Sequence, residues 1–141
     1  MKKLIFFTLL CTVLACKKGS DQKLADNNWQ IQSSTITPAL TTSGKTSTNY
    51  IELMGAESCI ARMSILFNAN GTYIMSSNGA LCDMFDNFGI KTWRRDGNKI
   101  FLSAFAEPLM LDGKKLTQTT TFTAAGGTVY TLVSVYKAKS K

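Results

Sequence analysis

The chain of 141 residues contains no histidine. That absence removes the imidazole base of the usual serine or cysteine triad, together with every histidine metal ligand. Prolines number only two, and the longest apolar run, Leu4 to Ala15, is twelve residues, well short of the roughly twenty that a spanning helix requires. Charge of one sign is also scarce within the body of the chain. Sixteen basic against nine acidic residues give +7 overall, yet Leu24 to Tyr136 holds eight of each. The excess sits in Lys2, Lys3, Lys17, Lys18 and Lys23 at one end and in Lys137, Lys139 and Lys141 at the other. A nucleic-acid-binding domain needs a basic face, and this count offers none, so no nucleic-acid partner is expected. No trio of acid, base and nucleophile stands out, so neither an enzyme nor a cofactor nor a metal site is expected.

The N-terminal segment is the most informative. Two lysines, an apolar run too short to span a membrane, and Val13-Leu14-Ala15-Cys16 resemble a bacterial lipoprotein signal peptide ending in a lipobox. The resemblance implies a signal over residues 1–15, an acylated Cys16 opening a flexible linker over 16–23, and one domain over 24–141. Two or more acyl chains on Cys16 would make the anchorage stable, and the lysines beside it suit anionic headgroups.

Of four cysteines, Cys11 leaves with the signal and Cys16 takes lipid, so Cys59 and Cys82 remain as an even pair in an oxidising compartment. Asn70-Gly71 between strand-forming residues is a strong hairpin signal. As a two-residue loop it would set Ala69 opposite Thr72 and, counted outward, Cys59 opposite Cys82. That register makes 59/82 a hydrogen-bonded pair, an awkward place for a bridge, so regular pairing is expected to loosen near Asn78-Gly79.

The punctuation is that of an all-β antiparallel up-and-down meander. Asn70-Gly71, Asp96-Gly97, Asp112-Gly113 and Gly126-Gly127 each separate runs rich in Ile, Val, Thr, Phe and Tyr. Strands are expected over 29–37, 61–68, 72–77, 89–95, 99–105, 108–111, 115–123 and 128–137, a number that can close into a small barrel. Met63, Ile65 and Phe67 share one face, while Thr117, Thr119, Thr121 and Thr123 form a face suited to solvent. The last strand is apolar on both sides. Residues 37–48 read as a long polar loop and 49–58 as a segment holding a short helical turn, both at the barrel rim.

The lipobox, the early Trp29 strand, Cys59, Leu66-Phe67-Asn68-Ala69-Asn70-Gly71-Thr72-Tyr73, Cys82, Lys91-Thr92-Trp93, Asp96-Gly97-Asn98-Lys99-Ile100 and a glycine-rich turn into a valine-rich strand resemble, in that order, the lipocalin-like domain lipoproteins of Bacteroidetes. The likeness spans nearly all of Leu24 to Tyr136, with Asn27 standing where such domains carry a glycine two before the tryptophan. It implies a lipocalin-like barrel of about eight strands attached to the outer membrane, with no established reaction. Asp21 alone is acidic just after Cys16, which leaves the periplasmic and cell-surface faces both open.

Other charged groups read as solvated. Glu57, Asp83 and Asp86 would approach one another across a disulfide, but acids beside a loop explain them without a cation, and Arg94, Arg95 and Asp96 read as a solvated hairpin tip. Asn70-Gly71-Thr72 matches a glycosylation sequon that the hairpin itself explains. The first functional expectation is a small apolar or amphipathic ligand in the barrel mouth, lined by Trp29, Phe67, Tyr73, Trp93 and Phe101. The alternative is a structural or protein-interaction lipoprotein that meets an envelope partner through residues 37–58 or through the two-sided last strand.

Overall fold

The computed structural model describes residues 21–77, 82 and 89–141. A helical turn α1 (residues 21–25) leads into the long strand β1 (Asn27–Thr42), then β2 (Lys45–Asn49), the short helix α2 (Tyr50–Met54) and a 3₁₀ turn at Ile60–Arg62. The chain continues through β3 (Ser64–Phe67), β4 (Tyr73–Ser76), β5 (Trp93–Asp96), β6 (Lys99–Leu102), β7 (Leu109–Asp112), β8 (Lys115–Thr123) and β9 (Val129–Ser140). Every pairing is antiparallel, in the order β4-β3-β1-β9-β8-β7-β6-β5, with β2 attached to β1 outside this path. The eight strands of the path coincide in order with those read from the sequence, and β1–β9 pairing brings the two ends of the meander together.

The expected polar loop over 37–48 is instead the turn of a ninth strand. Ser43 and Gly44 both have positive φ, 50° and 77°, and Thr42 faces Lys45 across them. Two positive-φ residues make a two-residue hairpin whose twist matches its strands. Pro38 sits just past the last β1–β9 pair, Thr37↔Thr131, where the β1–β2 register is also irregular, so its missing N–H breaks no regular ladder. The helical turn expected after Asn49 is present: the Asn49 side chain accepts the Glu52 N–H as an N-cap.

The β3–β4 hairpin corrects the expected register. Phe67 pairs with Tyr73, and Asn68 N–H donates to Thr72 O at 2.9 Å, so the loop holds three residues, Ala69-Asn70-Gly71, with Gly71 at φ 83°. A type I turn followed by a left-handed residue builds this loop, and it shifts every partner by one. Cys59 and Cys82 are joined all the same, with Cα atoms 5.6 Å apart. The strand ends at Ser64, so Cys59 lies in the turn before it and the bridge ties two non-strand segments. The loosening expected near Asn78-Gly79 lies outside the described residues.

Closure is almost complete. The Trp93 N–H donates to Gly71 O at 2.8 Å and the Tyr73 N–H to Lys91 O at 3.0 Å, flanking a single bridge, Thr72↔Thr92. Beyond it no ladder joins β4 to β5 among the described residues, so the barrel keeps one unsealed seam.

A bulge at Gln32 decides what fills the interior. β1 points Trp29 and Ile31 inward, skips a residue between Ile31 and Ser33, and then points Ser34 and Ile36 inward. The buried cluster comprises Leu24, Trp29, Ile65, Phe67, Tyr73, Ile100, Leu102, Leu109, Leu116 and Tyr136. One polar layer crosses it, where Ser34 and Ser134 share a 2.9 Å hydrogen bond beside buried Gln118. The outward face of β8 is the solvated threonine row expected from its alternation. The last strand is central rather than an edge, so its outward Val133 and Val135 are half-covered by flanking Thr35, Ser33, Thr119 and Thr117.

Candidate functional site

The five aromatic candidates separate into three environments. Trp29, Phe67 and Tyr73 are almost fully buried and belong to the core cluster. Trp93 packs at its edge, meeting Phe67 in a T-shaped contact at 5.2 Å and donating its Nε1–H to Asn68 O at 3.1 Å. Phe101 departs from expectation. Ile100 and Leu102 point inward, so period-two alternation turns Phe101 to the opposite face, where the Arg94 guanidinium lies 3.7 Å above its ring. Trp29, Phe67 and Tyr73 therefore fill the barrel axis, and Phe101 lies outside it.

An open cleft of about 450 Å³ lies at the α1 end of the barrel. Leu24, Trp29, Leu111 and Ala138 supply its apolar lining, and Lys23, Arg95 and Lys114 supply three cations with no acidic residue among them. Its geometry follows from local structure. Leu24, 1% exposed, plugs the barrel from α1, and its carbonyl accepts the Trp29 Nε1–H at 3.1 Å, so the indole holds the plug in place. The β7–β8 hairpin turns at Gly113-Lys114, and the Lys114 carbonyl accepts the Ala138 N–H, which fixes that wall.

Arg95 is the residue that sequence reading undervalued. It shares the inward face of β5 with Trp93, is partly buried, and donates Nε–H to Gly97 O at 2.7 Å. The signal was its spacing of two from Trp93; the adjacent Asp96-Gly97 turn masked it as a solvated tip. Lys23, placed in the linker by the sequence, belongs to the helical turn instead.

Beside the Ser34–Ser134 layer the interior is polar. The Tyr136 hydroxyl lies 3.3 Å from Gln118 Oε1 and 3.1 Å from Met63 Sδ, and burial raises its pKa above the ordinary tyrosine range. Glu57 forms an ion pair with Arg62, while Asp83 and Asp86 lie outside the described residues, as does Cys16. Asn70 and Thr72 of the sequon bond to each other within the hairpin, Thr72 Oγ1 donating to Asn70 Oδ1 at 2.7 Å.

Comparisons of the chain with protein-family models, with curated proteins and with solved structures return no match. The functional reading therefore rests on the barrel and its cleft.

Proposed function

We propose that this protein is a lipid-anchored extracytoplasmic binding module, tethered to the bacterial outer membrane through Cys16, whose barrel holds a small amphipathic anion in the α1-end cleft. The observation that carries this reading is the pairing, in one concavity of ligand size, of an apolar floor with three cations. A carboxylate or similar head would meet Arg95, Lys23 and Lys114, and a short apolar tail would lie on Leu24, Leu111 and Ala138. The packed axis moves the expected ligand from the interior to this cleft and keeps Trp29 as its only aromatic contact among the five candidates. Dansyl-labelled undecanoic acid is a suitable probe. Saturable binding should weaken about tenfold in Arg95→Ala, equivalent to about 1.4 kcal/mol, and remain unchanged in Phe101→Ala. Absence of saturable binding, or equal effects of both substitutions, would refute it.

The alternative of an envelope protein partner draws on the β8–β9 hairpin. Phe122 and Tyr130 stack there at 5.5 Å, with Phe122 and Val129 exposed. Phe122→Ser should abolish capture of such a partner while leaving probe binding intact.

A further inference from the structure

Basic residues far apart in the sequence are gathered by the fold. Lys23, Arg95 and Lys114 line the α1-end cleft. Lys99 closes the β5–β6 turn, Lys115 the β7–β8 turn, and Lys137 pairs across β9–β8 with Lys115. Lys139 faces Asn28 at the start of β1, and Lys141 donates its ammonium to the Ala25 carbonyl. Eight basic side chains thus surround this end, against four acids, Asp21, Asp26, Asp96 and Asp112. Away from this end Lys45, Arg62, Lys91 and Arg94 stand against Glu52, Glu57 and Glu107, so the basic excess is concentrated at the α1 end.

Two features make this more than a solvated face. Among the described residues Lys23, Lys99, Lys114, Lys115, Lys137 and Lys139 have no ion-pair partner. Lys115 and Lys137 also stand directly opposite each other on neighbouring strands, an arrangement of like charges that weakens a sheet unless an external anion screens it. The chain enters the barrel at this same end, through α1, a few residues after Cys16 and with Lys17 and Lys18 between. A domain tethered there cannot move its basic end far from the surface that holds its anchor.

We infer that the barrel docks end-on, α1 end down, against an anionic lipid surface, with Lys99, Lys115, Lys137 and Lys139 on the headgroups and the cleft that holds Lys23, Arg95 and Lys114 opening onto the same surface. This rests in part on the anchor at Cys16. The occupant is a headgroup layer rather than a nucleic acid because the cations ring the end of a barrel from four separate chain segments, instead of tracking a groove.

The test uses the mature protein purified from native membranes and reconstituted into vesicles of phosphatidylcholine alone or mixed with phosphatidylglycerol. Docking predicts several-fold slower backbone hydrogen exchange over 95–99, 112–115 and 137–140 on the anionic vesicles only, reverting at high salt. The triple reversal K114E/K115E/K137E should remove that protection, and K45E at the far end should retain it. Equal exchange on both vesicle types, or protection that survives the triple reversal, overturns the proposal. Intact mass of the same sample reports the anchor separately. If no acyl mass is found, sedimentation of the sample with the two vesicle types decides: capture by the anionic vesicles alone supports docking, and no capture overturns it.

Discussion

Two buried tyrosines occupy opposite situations. Tyr136 has its hydroxyl within reach of Gln118 and Met63, whereas the Tyr73 hydroxyl is buried with no hydrogen-bond partner among the described residues. Removing a satisfied hydroxyl strands its partner; removing an unsatisfied one relieves a desolvation penalty. Tyr136→Phe should therefore cost about 1–2 kcal/mol in urea unfolding, and Tyr73→Phe should be neutral or stabilising. The Tyr136 pKa is raised in the folded state by desolvation, so its contribution is complete below the unfolded value near 10 and declines as pH rises past it. Stability measured between pH 9 and about 11 should fall more steeply in the wild type than in Tyr136→Phe. An equal slope in both would show that the hydroxyl titrates as in the unfolded chain. Legibility varied at this scale as well. The burial of Trp29, Phe67 and Tyr73 follows from alternation and size, whereas the outward turn of Phe101 needed the register of β6, which Ile100 and Leu102 set by occupying the core.

At the scale of elements, the weak point is the β4–β5 seam, held by one bridge and its two flanking hydrogen bonds. The Cys59–Cys82 bridge ties the chain on the side of β4 away from that bridge, closing a loop with a sequence separation of 23. On the chain-entropy model a loop of this size stabilises the fold by about 3 kcal/mol. Cys59→Ser/Cys82→Ser should lower the unfolding midpoint accordingly and accelerate exchange at the Tyr73 and Trp93 amides before the rest of the sheet opens. If those amides exchange only with global unfolding, the seam is not a local weak point. The Cys59–Cys82 pairing agrees with the expectation drawn from the signal-like N-terminus, but the ladder expected to set the two cysteines opposite each other is one residue out. Nothing in Ala69-Asn70-Gly71 distinguishes a two-residue from a three-residue loop until the inward faces of Ile65, Phe67, Tyr73 and Met75 must meet the same core. The missed β2 has a similar cause: Ser43-Gly44 is a less common hairpin pair than Asn-Gly, and the surrounding threonines read equally well as loop.

For the whole molecule, the longest ladder, β1 with β9, joins Asn27 to Ser140 and so spans nearly the whole described chain. Such non-local pairing must overcome loop-closure entropy before it returns any stability. Refolding from urea should accordingly occur on a timescale of milliseconds to seconds, and microsecond refolding in a laser temperature jump would contradict this topology.

Residue order alone determined the all-β class, the eight strands that form the barrel path and most of their turns, because alternation and turn chemistry are local properties. Only tertiary structure decided that the axis is packed, that the bulge at Gln32 carries Ser34 and Ile36 inward, and that Arg95 faces the cleft beside Trp29. It also decided where the terminal lysines lie: β1–β9 pairing sets Lys137 and Lys139 at the end where β1 begins, and the β5–β6 and β7–β8 turns bring Lys99, Lys114 and Lys115 to that same end. Counts are properties of a list of residues, whereas a cleft and a charged pole exist only once non-local pairing has placed those residues in space.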